Sequence, residues 1–131
     1  MEVIQFDRQS PLPIIDARIY GPRKSHKVRL VFDTGAQFSI IDTGLIEDIG
    51  YSARDARHVS CVLSASGASQ DGYLLEIKAL GFFGRKRRGV FVGAFDFEHF
   101  VQFGANGLLG FDLIKQLHLE LDGPHGVLKI F

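Results

Sequence analysis

Residues 31–48 read VFDTGAQFSIIDTGLIED and hold the tripeptide Asp-Thr-Gly twice, at 33–35 and at 42–44. The flanks separate the two copies. Val28, Leu30, Val31 and Phe32 lead into the first, and Phe38, Ile40 and Ile41 lead out of it. A loop between two apolar strands presents Asp33 at the edge of a core. The second copy opens a helical pattern, GLIEDIG (44–50), closed by Gly50. There Asp42 or Thr43 can accept from the free N–H groups of the first turn. Glu47 and Asp48 are expected near the positive end of the helix dipole. Asp42 is therefore read as a helix cap. For Asp33, an ordinary turn aspartate competes with a chemical role, and the tripeptide alone does not decide between them.

Working outward, turn formers recur in YGPRKSHK, SASGASQDG, FFGRKRRG and DGPHG. Between them lie short runs that read as strands: 14–20, 28–32, 38–41, 59–63, 73–80, 89–95, 117–121 and 126–131. Alternation is strict in His118-Leu119-Glu120-Leu121-Asp122, and DGPHG is a hairpin connection to the next run. A second helix, DLIKQL (112–117), is expected to open on Asp112 as its N-cap. The chain of 131 residues suits one mostly β domain, 1–131, with one or two short helices.

The remaining features narrow the chemistry. Formal net charge is zero, so a whole-protein field for nucleic acid or anionic membrane is absent. Arg85–Arg88 (RKRR) are read as the solvated turn between two strands. His26, His58, His99, His118 and His125 show neither i, i+4 pairing nor cysteine partners, so neither a metal nor a cofactor is expected. Cys61 is the single cysteine and reads as a small buried hydrophobe, which points to a reducing, cytoplasmic setting. The first residues carry Glu2, Gln5 and Asp7 where a signal peptide needs an apolar run. No stretch reaches the ~20 apolar residues that span a bilayer. FDFEHFVQF (95–103) is Phe-rich and reads as core or dimer surface, an exposed part being able to take apolar substrate side chains.

A later segment, GANGLLGFDLI (104–114), places Leu108-Leu109-Gly110 just before the second helix. Asp-Thr-Gly-Ala between apolar strands, followed by this segment, resembles the retropepsin-like aspartic proteases, the single-domain retroviral-type enzymes and their bacterial relatives. The resemblance runs along most of the chain. Asp33-Thr34-Gly35-Ala36 looks like the catalytic loop, and Ser39 falls where the family often has a small polar residue. Residues 62–77 are similar to the flap hairpin, with Ser66, Gly67 and Ala68 near its tip. Leu108-Leu109-Gly110 resembles the segment crossing behind the catalytic loop. LELDGPHGVLKIF (119–131) is similar to the closing strands. Gln37 departs from the Ser, Thr or Asp more usual after Ala36, and the flap is Ser-rich rather than Gly-rich.

The resemblance implies a retropepsin-like acid protease β-barrel that hydrolyses polypeptides without metal or cofactor. Two carboxyls a hydrogen bond apart share one proton, one activating water and one protonating the leaving nitrogen; aspartic proteases are the standard example. It implies catalytic roles for Asp33, Thr34 and Gly35, substrate contacts at Ala36, Ser66, Gly67 and Ala68, and support from Leu108, Leu109 and Gly110. Phe32 and Leu109 would lower the local dielectric. In the family, the Thr34 hydroxyl would bond across to a partner loop. Asp33 and Asp42 are poor candidates for one dyad, because nine extended residues hold them ~30 Å apart. Two lobes need a longer chain, so a C2 homodimer is expected, one Asp33 from each subunit. The terminal strands MEVIQF and GVLKIF either build a dimer sheet or pair within the subunit. Two other readings stay open: a catalytically idle dimeric peptide binder of the same fold, and a β-barrel of other function whose tripeptides are turns.

Overall fold

The computed structural model describes residues 1–62, 69–96 and 104–131. Among these residues lie ten strands: β1 (Glu2–Gln5), β2 (Ile14–Tyr20), β3 (Ser25–Phe32), β4 (Ile40–Asp42), β5 (Arg57–Val62), β6 (Ser69–Phe82), β7 (Arg85–Phe95), β8 (Gly107–Leu109), β9 (Leu119–Asp122) and β10 (Val127–Ile130). Two short helices, α1 (Thr43–Asp48) and α2 (Phe111–Ile114), and a 3-10 turn at Ala53–Asp55 also lie among the described residues. The order β2-β3-β8-β4-β7-β6 closes on itself through a β2–β6 pairing, so six strands form a closed barrel. Closure removes the edges that an open sheet would expose. β5 extends β6 beyond the barrel, Val62 opposite Ser69. The tip between them, with Ser66, Gly67 and Ala68, lies outside the described residues.

Alternation builds the core. On β2 and β3, Ile15, Ala17, Ile19, Val28, Leu30 and Phe32 point into the barrel and are buried. Ile14 and Val31, on the opposite face, join Ile40, Phe95, Ala105 and Leu108 in a second apolar cluster outside it. Burial of one such Leu or Ile is worth roughly 1.5–3 kcal/mol. The terminal strands pair within the chain as β1-β10-β9, and Leu128 and Ile130 join the main core.

Three sequence expectations change. Arg85–Arg88 are not a turn; they are the first rungs of β7, with Arg85 opposite Phe82. The turn is Phe83-Gly84, both at positive φ (51° and 70°), as a two-residue hairpin matched to strand twist requires. Phe83 tolerates this backbone because its ring is buried beside Phe32 and Phe82. Glu47 and Asp48 fall in the last turn of α1, not the first, and Asp48 pairs instead with Lys24 at 3.1 Å. Asp112 does not cap α2; Gly110 holds that position. Gly50, at φ 111°, does follow the end of α1.

Tyr51 ties α1's exit to the barrel. Its hydroxyl donates to the Tyr20 carbonyl (3.0 Å) and accepts from the Lys78 N–H (2.7 Å). Burial raises the phenol's pKa above the ordinary 10.0, outweighing the Lys78 bond, which lowers it. The neutral phenol is thus favoured by folding, and its contribution is present below pH 10 and lost as the pH climbs through the raised value. Tyr51→Phe should cost about 1–2 kcal/mol at neutral pH, because a backbone N–H and a carbonyl lose their partner. It should also flatten the alkaline loss of stability. Urea unfolding of both proteins from pH 7 to pH 11 checks this; parallel pH curves would show that Tyr51 carries no such linkage.

Candidate functional site

Asp33 is the first residue after β3. Its N–H donates to the Leu109 carbonyl (3.0 Å), and its Oδ1 accepts from the Gly35 N–H (2.9 Å). The side chain is partly buried, while Thr34 and Gly35 are exposed. A Cβ at Gly35 would sit 3.3 Å from Oδ1, so glycine keeps the space beside the carboxylate open.

β8 lies between the two strands that this loop connects. It runs parallel to β3, with Phe32 opposite Leu109, and antiparallel to β4, with Ile40 opposite Leu108. The fit leaves no room for side chains at its ends. A Cβ at Gly110 would lie 2.6 Å from the Phe38 carbonyl carbon, and one at Gly107 would collide with the Ile40 carbonyl. Glycine at these positions is a packing requirement.

A buried serine fastens the loop to α2. Ser39 is fully buried; its N–H and hydroxyl donate to the Asp112 carboxylate at 3.2 and 3.0 Å. The Gly110 N–H donates to Ser39 Oγ at 2.9 Å, and the Phe111 N–H to the Ala36 carbonyl at 2.8 Å. The sequence reading gave Asp112 only a cap's role and missed this link. The available signal was Ser39 itself, a polar residue between Phe38 and Ile40 in an apolar run.

The structure brings Asp33, Thr34, Gly35 and Ala36 together with Leu108, Leu109 and Gly110. Ala36 and Phe38 pack on the outer apolar cluster of Ile14, Val31, Ile40 and Leu108. That gives the loop an apolar border. Phe32 and Leu109 are buried, but in the barrel core.

The second tripeptide is used differently. Asp42 caps α1, its carboxylate accepting from the Gly44 N–H at 3.1 Å. With Thr43 and Gly44 it also borders an open cleft of about 440 Å³ whose other acids are Asp71 and Asp96. Asp33 does not line that cleft.

A protein-family model described as "Aspartyl protease" matches residues 15–113. Among solved structures, a retropepsin-like aspartic protease from Rickettsia conorii shares the fold with a TM-score of 0.68 and 17% identity. The match covers 98% of this chain and 96% of that one. No curated sequence is similar enough to be matched.

Ser39→Ala should destabilise the fold by about 1–3 kcal/mol, because the Gly110 N–H and the Asp112 carboxylate lose a buried partner. Asp112→Asn, which keeps an acceptor oxygen, should cost less. Denaturant unfolding of the two variants measures both values, and an unchanged Ser39→Ala midpoint would show that this link holds nothing.

Proposed function

The chain belongs to the aspartyl protease family, and from that premise we propose that it hydrolyses peptide bonds as a homodimer. One observation carries the reading. A single chain offers one loop of the Asp33 kind, while its other tripeptide is engaged at the start of α1. Water activation by two carboxyls therefore needs a second copy, its Asp33 facing the first across a two-fold axis.

In this mechanism one Asp33 carboxylate accepts a proton from water as the water oxygen attacks the scissile carbonyl carbon. The other, protonated, donates to the carbonyl oxygen. Collapse of the tetrahedral species breaks the C–N bond, and a carboxyl proton passes to the leaving nitrogen. Thr34, exposed at the loop's tip, is assigned the bond to the partner loop. Gly35 and Ala36 are assigned to the substrate backbone. Leu108, Leu109 and Gly110 hold the loop from behind.

Asp33→Asn should abolish hydrolysis of a peptide library while leaving the unfolding free energy within ~0.5 kcal/mol of wild type, since the change is nearly isosteric and at a partly exposed position. Asp42→Asn should keep activity, because Asn caps a helix as well as Asp. Loss of activity in a folded Asp42→Asn protein, with Asp33→Asn active, would assign the chemistry to the wrong tripeptide.

Subunit mixing tests the dimer. With equal amounts of wild type and Asp33→Asn, random exchange leaves about a quarter of the dimers with two aspartates. Activity should then fall to about a quarter of the all-wild-type value at the same total concentration, not to a half. A value of one half, with exchange verified by labelled subunits, would mean that each chain works alone.

A further inference from the structure

The outer faces of β2, β3, β6 and β7 carry a grid of cations. Strand register sets Lys27 beside Arg18, Arg18 beside Gly81, and Gly81 beside Lys86. The next rung runs Ser25, Tyr20, Ala79, Arg88. Arg18, Lys27, Lys86 and Arg88 are exposed. Gly81 has no side chain at the centre, and an open groove of about 440 Å³ lies there.

Cations outnumber acids along this groove, whose lining holds Arg18, Lys27, Arg85 and Lys86 against Asp16. Among the described residues no ion pair engages Arg18, Lys27, Lys86 or Arg88. Arg18 donates to Ser25 Oγ (2.9 Å), and the Lys86 ammonium lies 3.9 Å above the Tyr20 ring. The nearby acids are Asp16, which lines the groove and is 3.8 Å from Arg29, Glu2, whose carboxylate lies against Gly84, Glu76 beside Gly89, and Asp112, which borders a separate hollow with Arg88. Net charge over the chain is zero, so this face is balanced by acids elsewhere, Asp42, Asp71 and Asp96 among them.

We propose that this face is a docking surface for an acidic stretch of the polypeptide substrate. The inference rests on the protease reading and adds a substrate class to it. Alternate residues on a strand are about 6.7 Å apart, so Lys27 with Arg29, and Lys86 with Arg88, match acids at alternate positions of an extended chain. The surface also continues from the loop's border. Ile14 and Val31, in the apolar cluster that Ala36 and Phe38 join, share their strand faces with Asp16, Arg18, Arg29 and Lys27. From Val31 to Lys27 is four residues, about 13 Å, a short run of bound peptide.

Nucleic acid fits less well. Single strands bind where bases stack on open aromatic faces. Here the Tyr20 ring is covered by Lys86, and Phe82 and Phe83, which also line the groove, are buried.

The probe is a fluorescein-labelled peptide of six glutamates, titrated by anisotropy onto the full-length Asp33→Asn protein. It should bind at low ionic strength and weaken as salt rises. Adding Lys27→Gln and Arg88→Gln should weaken it about five- to tenfold, in line with two exposed charge pairs. The charge-conserving pair Lys27→Arg and Arg88→Lys should keep binding, which separates lost charge from a disturbed fold. In active protein, Lys27→Gln/Arg88→Gln should lower the ratio of kcat/KM for a Glu-tailed peptide to that for its untailed parent. Equal probe binding by the Gln variant overturns the proposal. So does tighter binding of a single-stranded oligonucleotide, or of phosphatidylserine vesicles, than of the peptide. Probe binding lost in the Gln variant, with no peptide cleaved by wild type, supports the docking surface and defeats the protease reading alone.

Discussion

The structure depends on one steric constraint: β8 must fit between β3 and β4. Those strands are consecutive, and the loop joining them carries Asp33. A strand inserted there closes the barrel and holds the loop's ends apart at once. Gly107 and Gly110 make the insertion possible, since a Cβ at either would strike the backbone of Ile40 or Phe38. Once seated, β8 and the turn after it exchange hydrogen bonds with the loop: Leu109 and Asp112 accept from it, and the Gly110 and Phe111 N–H groups donate to it. Each is worth roughly 0.5–1.5 kcal/mol net. Together they fix a backbone that would otherwise cost about 1–2 kcal/mol per residue to order. A carboxylate needs such fixing to hold a geometry tight enough for chemistry.

The two Asp-Thr-Gly copies show that a motif's meaning lies in what surrounds it. Both aspartates accept from the backbone N–H two residues on, at 2.9 and 3.1 Å. That local hydrogen bond is the same in both. What differs is the continuation. After Gly35 the chain is pinned to β8 and α2, leaving Thr34 and Gly35 exposed. After Asp42 it winds into α1, with Ile46 buried inside the helix and Ile49 buried at its C-terminal cap. Leu45, Ile46 and Ile49 make that second continuation readable from helical spacing alone.

Much of the fold was legible because its strands alternate. β2 was readable at its full length, and the DGPHG connection and the caps of α1 follow from local chemistry. Barrel closure was legible only through the resemblance to a family, since β2–β6 and β3–β8 join residues far apart in sequence and no local pattern encodes the pairing. Arg85–Arg88 misled because charge density suggests a turn, yet cations on an outward strand face cost little and Phe83-Gly84 had already made the reversal. Asp112 was read as a local cap and Ser39 only as a position where the family often has a small polar residue, although 73 positions separate the partners of the bond they form. For the site, Asp33 to Ala36 and Leu108 to Gly110 were found together through their resemblance to a family. The fastening through Ser39 was not found, because a long-range hydrogen bond leaves only a weak trace in one sequence.

The exposure of the loop's tip bears on why one chain would not suffice. Thr34 and Gly35 face solvent while the residues behind them are packed to contact. A carboxylate at such a tip sits in a high dielectric, where a neighbouring charge at 4 Å is worth about 1 kcal/mol. Covering the tip with a second copy excludes water and strengthens every interaction between the two loops. The same burial would be costly for two charges, and a shared proton removes that cost. On the dimeric reading the fold therefore spends its rigidity on the inner side of the loop and leaves the outer side unfinished. The cation grid follows a similar logic farther along the same strands: among the described residues Arg18, Lys27, Lys86 and Arg88 form no ion pair, and on the docking proposal an acidic ligand would complete it.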